Sequence, residues 1–508
     1  MSAQKPNILF ILSDDQGAWS LGSAGNQDVK TPNLDRLAQR GIRFENFFCA
    51  SPVCSPARAS IMTGTIPSQH GIHDWLAKGH LDEERLSPRM REAFYAPERE
   101  QKMEWPRSQL MGDKAVEYLA GQCCYPQRLR EAGYTCALFG KWHLGDASKP
   151  QAGFETWNTI AMGGDNYYTP TVMMPDSSFD ILDGVYLTDY ITDNALDYLK
   201  KREGEAQPFY LSVHYTAPHA PWGRQFHPDW AFEPFDGSAF SSIPKLPAHP
   251  WSPYASMSEA EWEHFRQTSL EGYCAAVYAM DRNIGRLMDE LERQGIVQDT
   301  LVIFTADNGM SMGHHGIIGK GNGTFPMNMY EEAVKVPFII SRPGSVPEGV
   351  VEQGLFGHVD LFPTLCDYLD CPLDEAIRDR QPGRSFAPVL RGESCPDNEQ
   401  IIICDEYGPV RMIRTREWKY VHRYPYGPHE LYHLTDDPSE QRNLAGDESV
   451  RDIEQALFGR LEAHFLRYSD PEVDGKAEAV CGLGQTGPVG VRAQGKERFI
   501  QIDNGGKA

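Results

Sequence analysis

Residues 51–64 read Ser51-Pro-Val-Cys54-Ser-Pro56-Ala-Arg58-Ala-Ser-Ile-Met-Thr-Gly64. Pro56 suits the first turn of a helix, because the N–H that proline lacks would have no partner there. The pattern therefore predicts a helix that begins near Cys54. A helix N-terminus carries partial positive charge, so an anion at position 54 would be stabilised by the dipole and by Arg58. This is the setting of a nucleophile; the alternative is a buried cysteine in a turn.

Polar side chains follow several predicted strands. The apolar run Asn7–Ser13 predicts a strand buried on both faces of a parallel sheet, and Asp14-Asp15 come directly after it. Three further predicted strands end similarly: Thr135–Phe139 before Lys141 and His143, Phe209–His214 before His219, and Thr300–Thr305 before Asp307 and Asn308. Each group alone would be read as a surface turn. Because the carboxyl ends of strands line the ligand crevice of an open α/β sheet, we expect these groups to converge.

Three strings carry a resemblance to a known family. The signature at residues 51–64 resembles that of the type I sulfatases of the alkaline-phosphatase-like superfamily, in which the cysteine is oxidised to formylglycine. Gly140-Lys-Trp-His143 and Pro218-His-Ala-Pro221 resemble two further motifs of that family. The resemblance returns at intervals from residue 5 to about residue 445. It implies a large mixed, mostly parallel sheet flanked by helices, and a smaller C-terminal α+β subdomain with an antiparallel sheet.

The resemblance and the composition predict three segments. Residues 1–375 form the catalytic α/β domain, residues 376–470 the C-terminal antiparallel-sheet subdomain, and residues 471–508 a Gly-rich tail of unknown order. Residues 76–122 are polar and irregular, and are either a wall over the site or a surface insertion.

A hard metal ion is expected among the acidic groups. Asp14, Asp15, Asp307 and Asn308 offer only oxygen ligands, a set that suits Ca²⁺ or Mg²⁺. The resemblance favours one Ca²⁺ and adds the modified Cys54 as a ligand. A thiolate would bind such a cation poorly, which is a physical reason to expect conversion of Cys54 to the aldehyde. The hydrated aldehyde would offer one hydroxyl to attack sulfur and a second to expel sulfate.

The resemblance also implies roles for the basic residues. Arg58 would stabilise the nucleophile, and Lys141 and Lys320 would neutralise sulfate oxygens. Asp307 would accept the proton of the nucleophile as well as bind the metal.

Two histidines complete the expected chemistry. His143 would contact the hydrated aldehyde as a base. His219, with Lys320, would protonate the leaving oxygen. We prefer His219 to His214 for this role, because His214 lies within a predicted strand.

The loops nearest these strings predict how substrate is recognised. Together they offer an aromatic face, hydrogen-bonding carboxylates and amides, and cations, a mixture that suits a sulfated sugar. The expected substrate-binding residues are His73, Asp74, Trp75, Asp165, Asn166, Arg224 and His315. The alternative is that several of them only support the loops.

Composition excludes some partners. The 71 acidic and 48 basic side chains give a formal net charge of −23, which argues against nucleic acid and an anionic membrane surface. The N-terminus has no signal-like region, and the 11 cysteines are irregularly spaced, which favours reduced thiols. We therefore expect a cytoplasmic protein without a membrane anchor, whose Cys54 is converted by an intracellular maturase.

Two other functions stay open at this stage. A phosphoester or phosphonate hydrolase could use the same scaffold, because a metal-bound nucleophile with basic clamps also serves phosphorus. A binding protein that retains the fold without catalysis is disfavoured, because no expected site residue is missing.

Overall fold

A mixed eight-stranded sheet forms the centre of the protein, whose computed structural model describes residues 5–95, 114–405, 409–477 and 484–489. The strands of this sheet are β1 (Asn7–Ser13), β2 (Ile42–Phe48), β3 (Thr135–Gly140), β4 (Thr156–Thr159), β7 (Phe209–His214), β8 (Thr300–Ala306), β11 (Phe338–Ser341) and β12 (Val350–Gly357). Their order across the sheet is β12-β2-β11-β8-β1-β7-β3-β4. Two small hairpins lie outside it: β5 (Thr171–Met173) with β6 (Phe179–Ile181), and β9 (Ser311–Met312) with β10 (Ile318–Gly319).

Strand direction brings seven carboxyl ends to one edge of the sheet. Only β11 runs antiparallel to its neighbours β2 and β8, and the other neighbouring pairs are parallel. β2 therefore runs in the same direction as β8. In register, Leu12 lies opposite both Thr305 and His214, and Gly140 also lies opposite His214. The predicted mixed, mostly parallel sheet is confirmed.

The central strand β1 shows why the sheet is covered on both faces. Ile8, Phe10 and Leu12 pack into one apolar cluster, whereas Leu9 and Ile11 pack into another. All five side chains are fully buried. Because side chains alternate across a strand, an uninterrupted apolar run requires helices on both sides.

The covering elements are mostly helical. The α-helices are Pro32–Gln39, Cys54–Thr63, Pro67–His70, Pro88–Tyr95, Tyr125–Glu131, Leu187–Lys201, Asp229–Phe232, Glu259–Arg293, Glu331–Val334, Leu361–Tyr368, Glu375–Arg380, Ala387–Leu390 and Arg451–Tyr468. Short 3₁₀ turns span Gly22–Ala24, Glu83–Arg85, Arg224–Phe226, Val297–Asp299, His314–Gly316, Gly321–Gly323, His358–Asp360, Glu448–Val450 and Gly475–Ala477. Among the described residues, no helix combines the length and apolar character needed to cross a membrane.

The longest helix begins earlier than its apolar stripe indicates. The spacing of apolar residues predicts a start near Leu270, but the helix starts at Glu259. Ser258 accepts a hydrogen bond from the backbone of Glu261, whose side chain reaches back to the backbone of Ser258. This capping box satisfies two N–H groups of the first turn and extends the helix.

A second, antiparallel sheet follows in the C-terminal part. Its four strands, in order along the chain, are β13 (Ile401–Asp405), β14 (Val410–Arg414), β15 (Trp418–Arg423) and β16 (Glu430–His433). The helix Arg451–Tyr468 packs on it through Leu457, Leu461 and Phe465. The expected antiparallel sheet is confirmed.

Two regions without an assigned role are partly described. Within residues 76–122, the structure describes residues 76–95 and 114–122, and residues 96–113 lie outside the described part. Within the tail, residues 484–489 lie against residues 71–77, where Gln485 forms a parallel bridge with Leu76.

Candidate active site

The signature folds into a helix that begins at Cys54. The helix spans Cys54–Thr63, and all of its residues are buried. It ends at Gly64, whose φ of 65° lies in the left-handed region that glycine adopts without strain. This short, buried helix places Cys54 at the end of the sheet where the strands β1 and β8 terminate.

Cys54 lies among three carboxylates. Its Sγ is 3.3 Å from Oδ1 of Asp14 and 3.8 Å from Oδ1 of Asp15. Asp307 lies in the same group, whose potential ligand atoms all lie within 4.8 Å of one another. All four residues are buried. The adjacent ends of β1 and β8 thus hold the acidic groups against the signature helix.

Three basic side chains neutralise these carboxylates. The Nζ atom of Lys320 lies 2.5 Å from Asp15 and 2.7 Å from the sulfur of Cys54. Lys141 forms an ion pair with Asp14. Nε of Arg58 donates to Asp307 at 2.8 Å, and its NH1 donates to the carbonyl of Lys141 at 2.9 Å. Because a buried charge without a partner is costly, removing any one of these side chains would leave an uncompensated charge in the site.

The surrounding charges give the buried carboxyl groups different pKa values. Burial alone would raise the pKa of Asp14, but Lys141, His219, Arg58 and Lys320 hold that pKa well below its ordinary value. Burial and the charge of Asp14 raise the pKa of Asp307 to about 6. Burial and Asp14 also raise the pKa of the Cys54 thiol. An unmodified Cys54 would therefore stay protonated and would be a weak nucleophile.

The acidic group fits a hard cation. Asn308 donates from Nδ2 to Oδ1 of Asp15 at 2.9 Å, while its own Oδ1 is buried and has no hydrogen-bond partner within the described residues. A buried oxygen without a partner beside three carboxylates is the arrangement of a cation ligand. Asp14, Asp15, Asp307 and Asn308 could hold a divalent cation.

His143 and His219 flank this group. Nε2 of His143 donates to the carbonyl of Leu76 at 3.1 Å, which leaves its Nδ1 as an acceptor without a partner in the described chain. Nδ1 of His219 donates to the carbonyl of Ala220 at 2.7 Å, and its Nε2 lies 3.7 Å from Asp15. Burial lowers the pKa of both imidazoles. Asp15 and His143 have φ values of 59° and 54°, so the backbone is strained at both site positions.

His214 has a structural environment instead. Its Nε2 accepts from the hydroxyl of Ser212 at 2.8 Å, and its Nδ1 donates to the carbonyl of Lys141 at 3.0 Å. Burial lowers its pKa to about 3. His214 is therefore neutral and supports the strand end that carries Lys141.

A glycine pair in the site was not singled out by sequence reasoning. A Cβ atom at Gly163 would lie 2.1 Å from the ring of His143, and one at Gly164 would lie 3.4 Å from the ring of His219. The loop therefore passes close to both imidazoles, and a side chain at position 163 would displace the ring of His143. The signal available in the sequence was the Gly-Gly pair itself, which marks a loop.

Asp74 is the predicted substrate-binding residue with the clearest free acceptor. It is 3% exposed, Oδ1 accepts from the backbone of Trp75 at 2.7 Å, and Oδ2 has no partner among the described residues. Burial raises its pKa to about 7, and the ammonium of Lys320 acts against this rise. The neighbouring His73 points elsewhere, because its Nε2 donates to the carbonyl of Val473 at 2.6 Å.

The other predicted substrate-binding residues hold loop contacts. Asp165 accepts from the backbone of Thr171 at 2.5 Å and of Asn166 at 2.7 Å, and Asn166 accepts from the backbone of Tyr168 at 2.9 Å. These bonds define the turn that continues from the glycine pair.

Arg224 and His315 each have an acidic partner. Arg224 pairs with Asp236. Nε2 of His315 lies 3.3 Å from Glu332, and its ring stacks on Tyr330 with centroids 3.7 Å apart. Neither side chain is directed to Cys54 by a described contact.

Comparison with known families identifies the scaffold. Residues 6–371 match the model of the sulfatase family, which covers more than half of the chain. The protein belongs to the sulfatase family. Residues 323–466 match the C-terminal region of N-sulphoglucosamine sulphohydrolase, which contains the antiparallel sheet. The predicted sulfuric ester hydrolase activity is confirmed at this level.

Characterised sulfatases are similar along most of the chain. An N-acetylglucosamine-6-O-sulfatase from Bacteroides thetaiotaomicron is 25% identical, over 93% of this chain and 88% of that protein. A choline-sulfatase from Rhizobium meliloti is 27% identical, over 88% of this chain and 83% of that protein.

Solved structures share the fold of this sulfatase. One, in complex with its substrate D-glucosamine-2-N,6-O-disulfate, superposes with a TM-score of 0.71 at 24% identity, covering 92% of this chain and 99% of that one. A phosphonate monoester hydrolase from Agrobacterium radiobacter has a TM-score of 0.66 at 20% identity, covering 96% and 100%. The alkaline-phosphatase-like scaffold therefore carries more than one chemistry.

Proposed function

We propose that this sulfatase hydrolyses the sulfate ester of a sulfated saccharide, with residue 54, as formylglycine, supplying the nucleophile. The observation that carries the proposal is the position of Cys54: its sulfur touches both Asp14 and the ammonium of Lys320. A cysteine that burial keeps protonated has no evident use at that point. Conversion to the aldehyde and hydration would supply two hydroxyl oxygens, one for attack on sulfur and one for release of sulfate.

The acidic group would hold one divalent cation, Ca²⁺ or Mg²⁺. Asp14, Asp15, Asp307, Asn308 and the oxygen of modified residue 54 are its proposed ligands, and the all-oxygen set and the size tolerance of Ca²⁺ favour Ca²⁺. The bound ion would supply Lewis-acid polarisation of an oxygen and lower the pKa of a hydroxyl in the site.

The basic residues would bind the sulfate group and stabilise the nucleophile. Lys141 and Lys320 pair with the carboxylates, and their ammonium groups would meet the sulfate oxygens once a cation satisfies the acids. Arg58, which pairs with Asp307, would stabilise the nucleophile. Stronger contacts to the charge that develops during transfer would lower the barrier.

The two imidazoles divide the proton transfers. His219, as the imidazolium, would donate from Nε2 to the ester oxygen as the sulfur–oxygen bond breaks, so that the alcohol leaves neutral. Nδ1 of His143 would accept the proton of the second hydroxyl of residue 54. The carbon–oxygen bond to sulfate then breaks, which restores the aldehyde and releases sulfate. Asp307 would accept the proton of the attacking hydroxyl.

The saccharide assignment depends on the loops around the site. The free Oδ2 of Asp74 is an acceptor for a sugar hydroxyl. Trp75 and Asp165 on the adjoining loops would add an aromatic surface and a second carboxylate, whereas His73, Asn166, Arg224 and His315 would act mainly by supporting those loops. Two relatives, named for N-acetylglucosamine 6-sulfate and choline sulfate, mark the range of alcohols that related enzymes use.

One panel of esters tests the proposal. A single aryl group carried as sulfate, phosphate monoester, phosphonate monoester and phosphate diester separates a sulfatase from a phosphonate hydrolase, the alternative on this scaffold. Sulfated mono- and disaccharides complete the panel. We expect the sulfates to be turned over fastest, and the saccharides better than the aryl sulfate. Faster turnover of a phosphorus ester would reassign the enzyme, and no turnover of any ester would favour a binding protein.

The remaining organisation is also part of the proposal. Residues 1–375 would form the catalytic domain, residues 376–470 the C-terminal subdomain and residues 471–508 a tail. We propose a cytoplasmic enzyme that receives its formylglycine from a radical-based or oxygen-dependent maturase in the same compartment.

A further inference from the structure

A segment of the tail lies against the loop that follows the signature helix. We call residues 484–489 the tail segment and residues 71–77 the signature loop. The tail segment lies beyond both regions matched by family models, which end at residues 371 and 466. It forms a parallel bridge with the signature loop and buries Gln485 and Val489. A segment outside the family match thus contacts a loop next to the nucleophile.

The side chain of Gln485 joins the first half of the signature loop. Its Oε1 accepts from the backbone N–H of His73 at 2.8 Å, and its Nε2 donates to the carbonyl of Gly71 at 3.0 Å and to that of Gly487 at 3.0 Å. Gln485 is 8% exposed, so water cannot readily replace these partners. Loss of one partner would leave a buried polar group unsatisfied.

The backbone of Gln485 joins the second half of the loop. Its N–H donates to the carbonyl of Trp75 at 2.8 Å, and its carbonyl accepts from Ala77 at 2.9 Å. Gln485 therefore holds the residues on both sides of Asp74. No other described residue makes side-chain and backbone hydrogen bonds to both halves of the signature loop.

Asp74, between these two halves, has a carboxylate oxygen without a hydrogen-bond partner among the described residues. Oδ2 of Asp74 is buried and unpaired among the described residues, and Asp74 lies within the electrostatic influence of Lys320. A carboxylate oxygen in this state is suited to accept a hydrogen bond from a ligand hydroxyl. Its direction depends on the backbone that Gln485 holds.

The catalytic end of the signature loop has separate anchors. The backbone N–H of Leu76 donates to the hydroxyl of Ser55 at 3.1 Å, and its carbonyl accepts from His143 at 3.1 Å and from His80 at 2.7 Å. These bonds do not involve the side chain of Gln485. Removal of the Gln485 amide should therefore disturb Asp74 while leaving His143 in place.

We propose that Gln485 is a positioning residue for substrate specificity, which holds Asp74 in place to bind a hydroxyl of the saccharide. The inference rests on the proposed function, because it takes the substrate to be a sulfated sugar. It assigns a role to the tail: the tail segment completes the wall that distinguishes a saccharide from a small sulfate ester.

The first test compares a sulfated saccharide with an aryl sulfate in two variants. Gln485→Met keeps the side-chain volume and the backbone bonds but removes the amide. We expect KM for a sulfated saccharide to rise about five- to tenfold, which corresponds to one or two lost hydrogen bonds, with kcat and all aryl sulfate kinetics nearly unchanged. Thr486→Ala, at an exposed neighbour, is the matched control and should change nothing. Amide hydrogen exchange at His73 should accelerate in Gln485→Met alone.

A double variant separates positioning from general support. Because Gln485 acts through Asp74, adding Gln485→Met to Asp74→Ala should cause no further rise in the saccharide KM. Additive rises of the saccharide KM in the double variant would overturn the inference. So would equal losses of activity on both substrates in Gln485→Met, or a saccharide KM that Gln485→Met leaves unchanged. If the wild-type enzyme does not prefer saccharides to the aryl sulfate, the carbohydrate assignment is wrong. The proposed role of Gln485 is then wrong as well, because it depends on that assignment. An unaffected saccharide preference in Gln485→Met refutes the tail inference alone.

Discussion

The proposed reaction depends on the side chain of residue 54. A serine there would present one hydroxyl to the same carboxylates and cations, but it lacks the second oxygen that releases sulfate. Cys54→Ser should therefore fold normally and stop after one slow turnover with a sulfate ester on Ser. Intact-peptide mass spectrometry measures this adduct. The same measurement on active wild-type enzyme should find formylglycine at residue 54. A fully active enzyme that carries only the free thiol would contradict the mechanism.

Asp307 joins the proposed cation to Arg58. Its Oδ1 accepts from the backbone N–H groups of Asp15 and Asn308 at 3.1 and 2.8 Å, and its Oδ2 accepts from Arg58. Asp307→Asn keeps the shape but removes a charge that faces the ion, so we expect metal content to fall and kcat/KM to drop by about a hundredfold or more. Metal analysis with activity before and after chelation measures both. Full activity in a verified metal-free enzyme would exclude the cation.

The contribution of His219 to the rate should depend on the leaving group. Alcohols of sugars are poor leaving groups and need a proton, whereas acidic phenols leave without one. His219→Ala should lower kcat for a sulfated saccharide by about a hundredfold while changing an activated aryl sulfate much less. A plot of rate against phenol pKa across an aryl series tests this dependence. Equal losses on every ester would transfer the role to Lys320 or His143.

The long helix Glu259–Arg293 supports the loop that carries His219. A Cβ atom at Gly272 would lie 1.8 Å from the backbone carbonyl of Trp222, three residues beyond His219. Alanine normally stabilises a helix relative to glycine by about 1 kcal/mol. Here the clash with a backbone atom should reverse the sign, so Gly272→Ala should lose about 1–3 kcal/mol of unfolding free energy and lower activity.

Gly459, at an exposed position of the helix Arg451–Tyr468, provides the control for the Gly272 substitution. A Cβ atom at Gly459 would meet no atom within 4 Å. Gly459→Ala should therefore gain up to about 1 kcal/mol without changing activity. Chemical denaturation of both variants measures the difference, and a stabilised, fully active Gly272→Ala would show that the contact with Trp222 does not constrain the helix.

Buried histidines make the folded molecule sensitive to acid. Burial lowers the pKa of His80 and His227 to about 4 and that of His358 to about 3, and holds that of His70 well below its ordinary value. The unfolded chain takes up these protons near pH 6.5, but the folded chain does not. Stability should therefore be present above pH 6.5 and be lost as pH falls from 6.5 towards 4.

The size of this loss can be measured by unfolding at several pH values. Each such histidine contributes up to about 1.4 kcal/mol per pH unit within that window. His264→Asn, at an exposed position, should leave the slope unchanged. The buried carboxyls of Asp74 and Asp307, whose raised pKa values stabilise the folded state as pH falls, act in the opposite direction, so the histidine contribution is read as a difference between variants. An identical slope in His358→Gln and in the wild-type protein would contradict the buried neutral state of His358.

Much of the fold could be predicted because its signals are local. The run Asn7–Ser13 is apolar without interruption from Ile8 to Leu12, and the structure has that strand with the same bounds. The strand β12 was not predicted, because it lies at the sheet edge with Val350 and Val351 partly exposed and lacks a clear apolar pattern. Edge strands depend on the neighbour they pair with more than on their own composition.

The candidate site divides in the same way. The sequence by itself determined the residues that follow each strand, from Asp14 to Asn308, because the carboxyl ends of parallel strands must meet at one edge. Only the tertiary structure decided which loop side chains are already engaged: Arg224 pairs with Asp236, and His315 with Glu332. It also decided that Gln485 lies against residues 71–77. Contacts between residues about 400 positions apart leave no periodic pattern in the chain, since they arise only when the packed elements bring the two segments together.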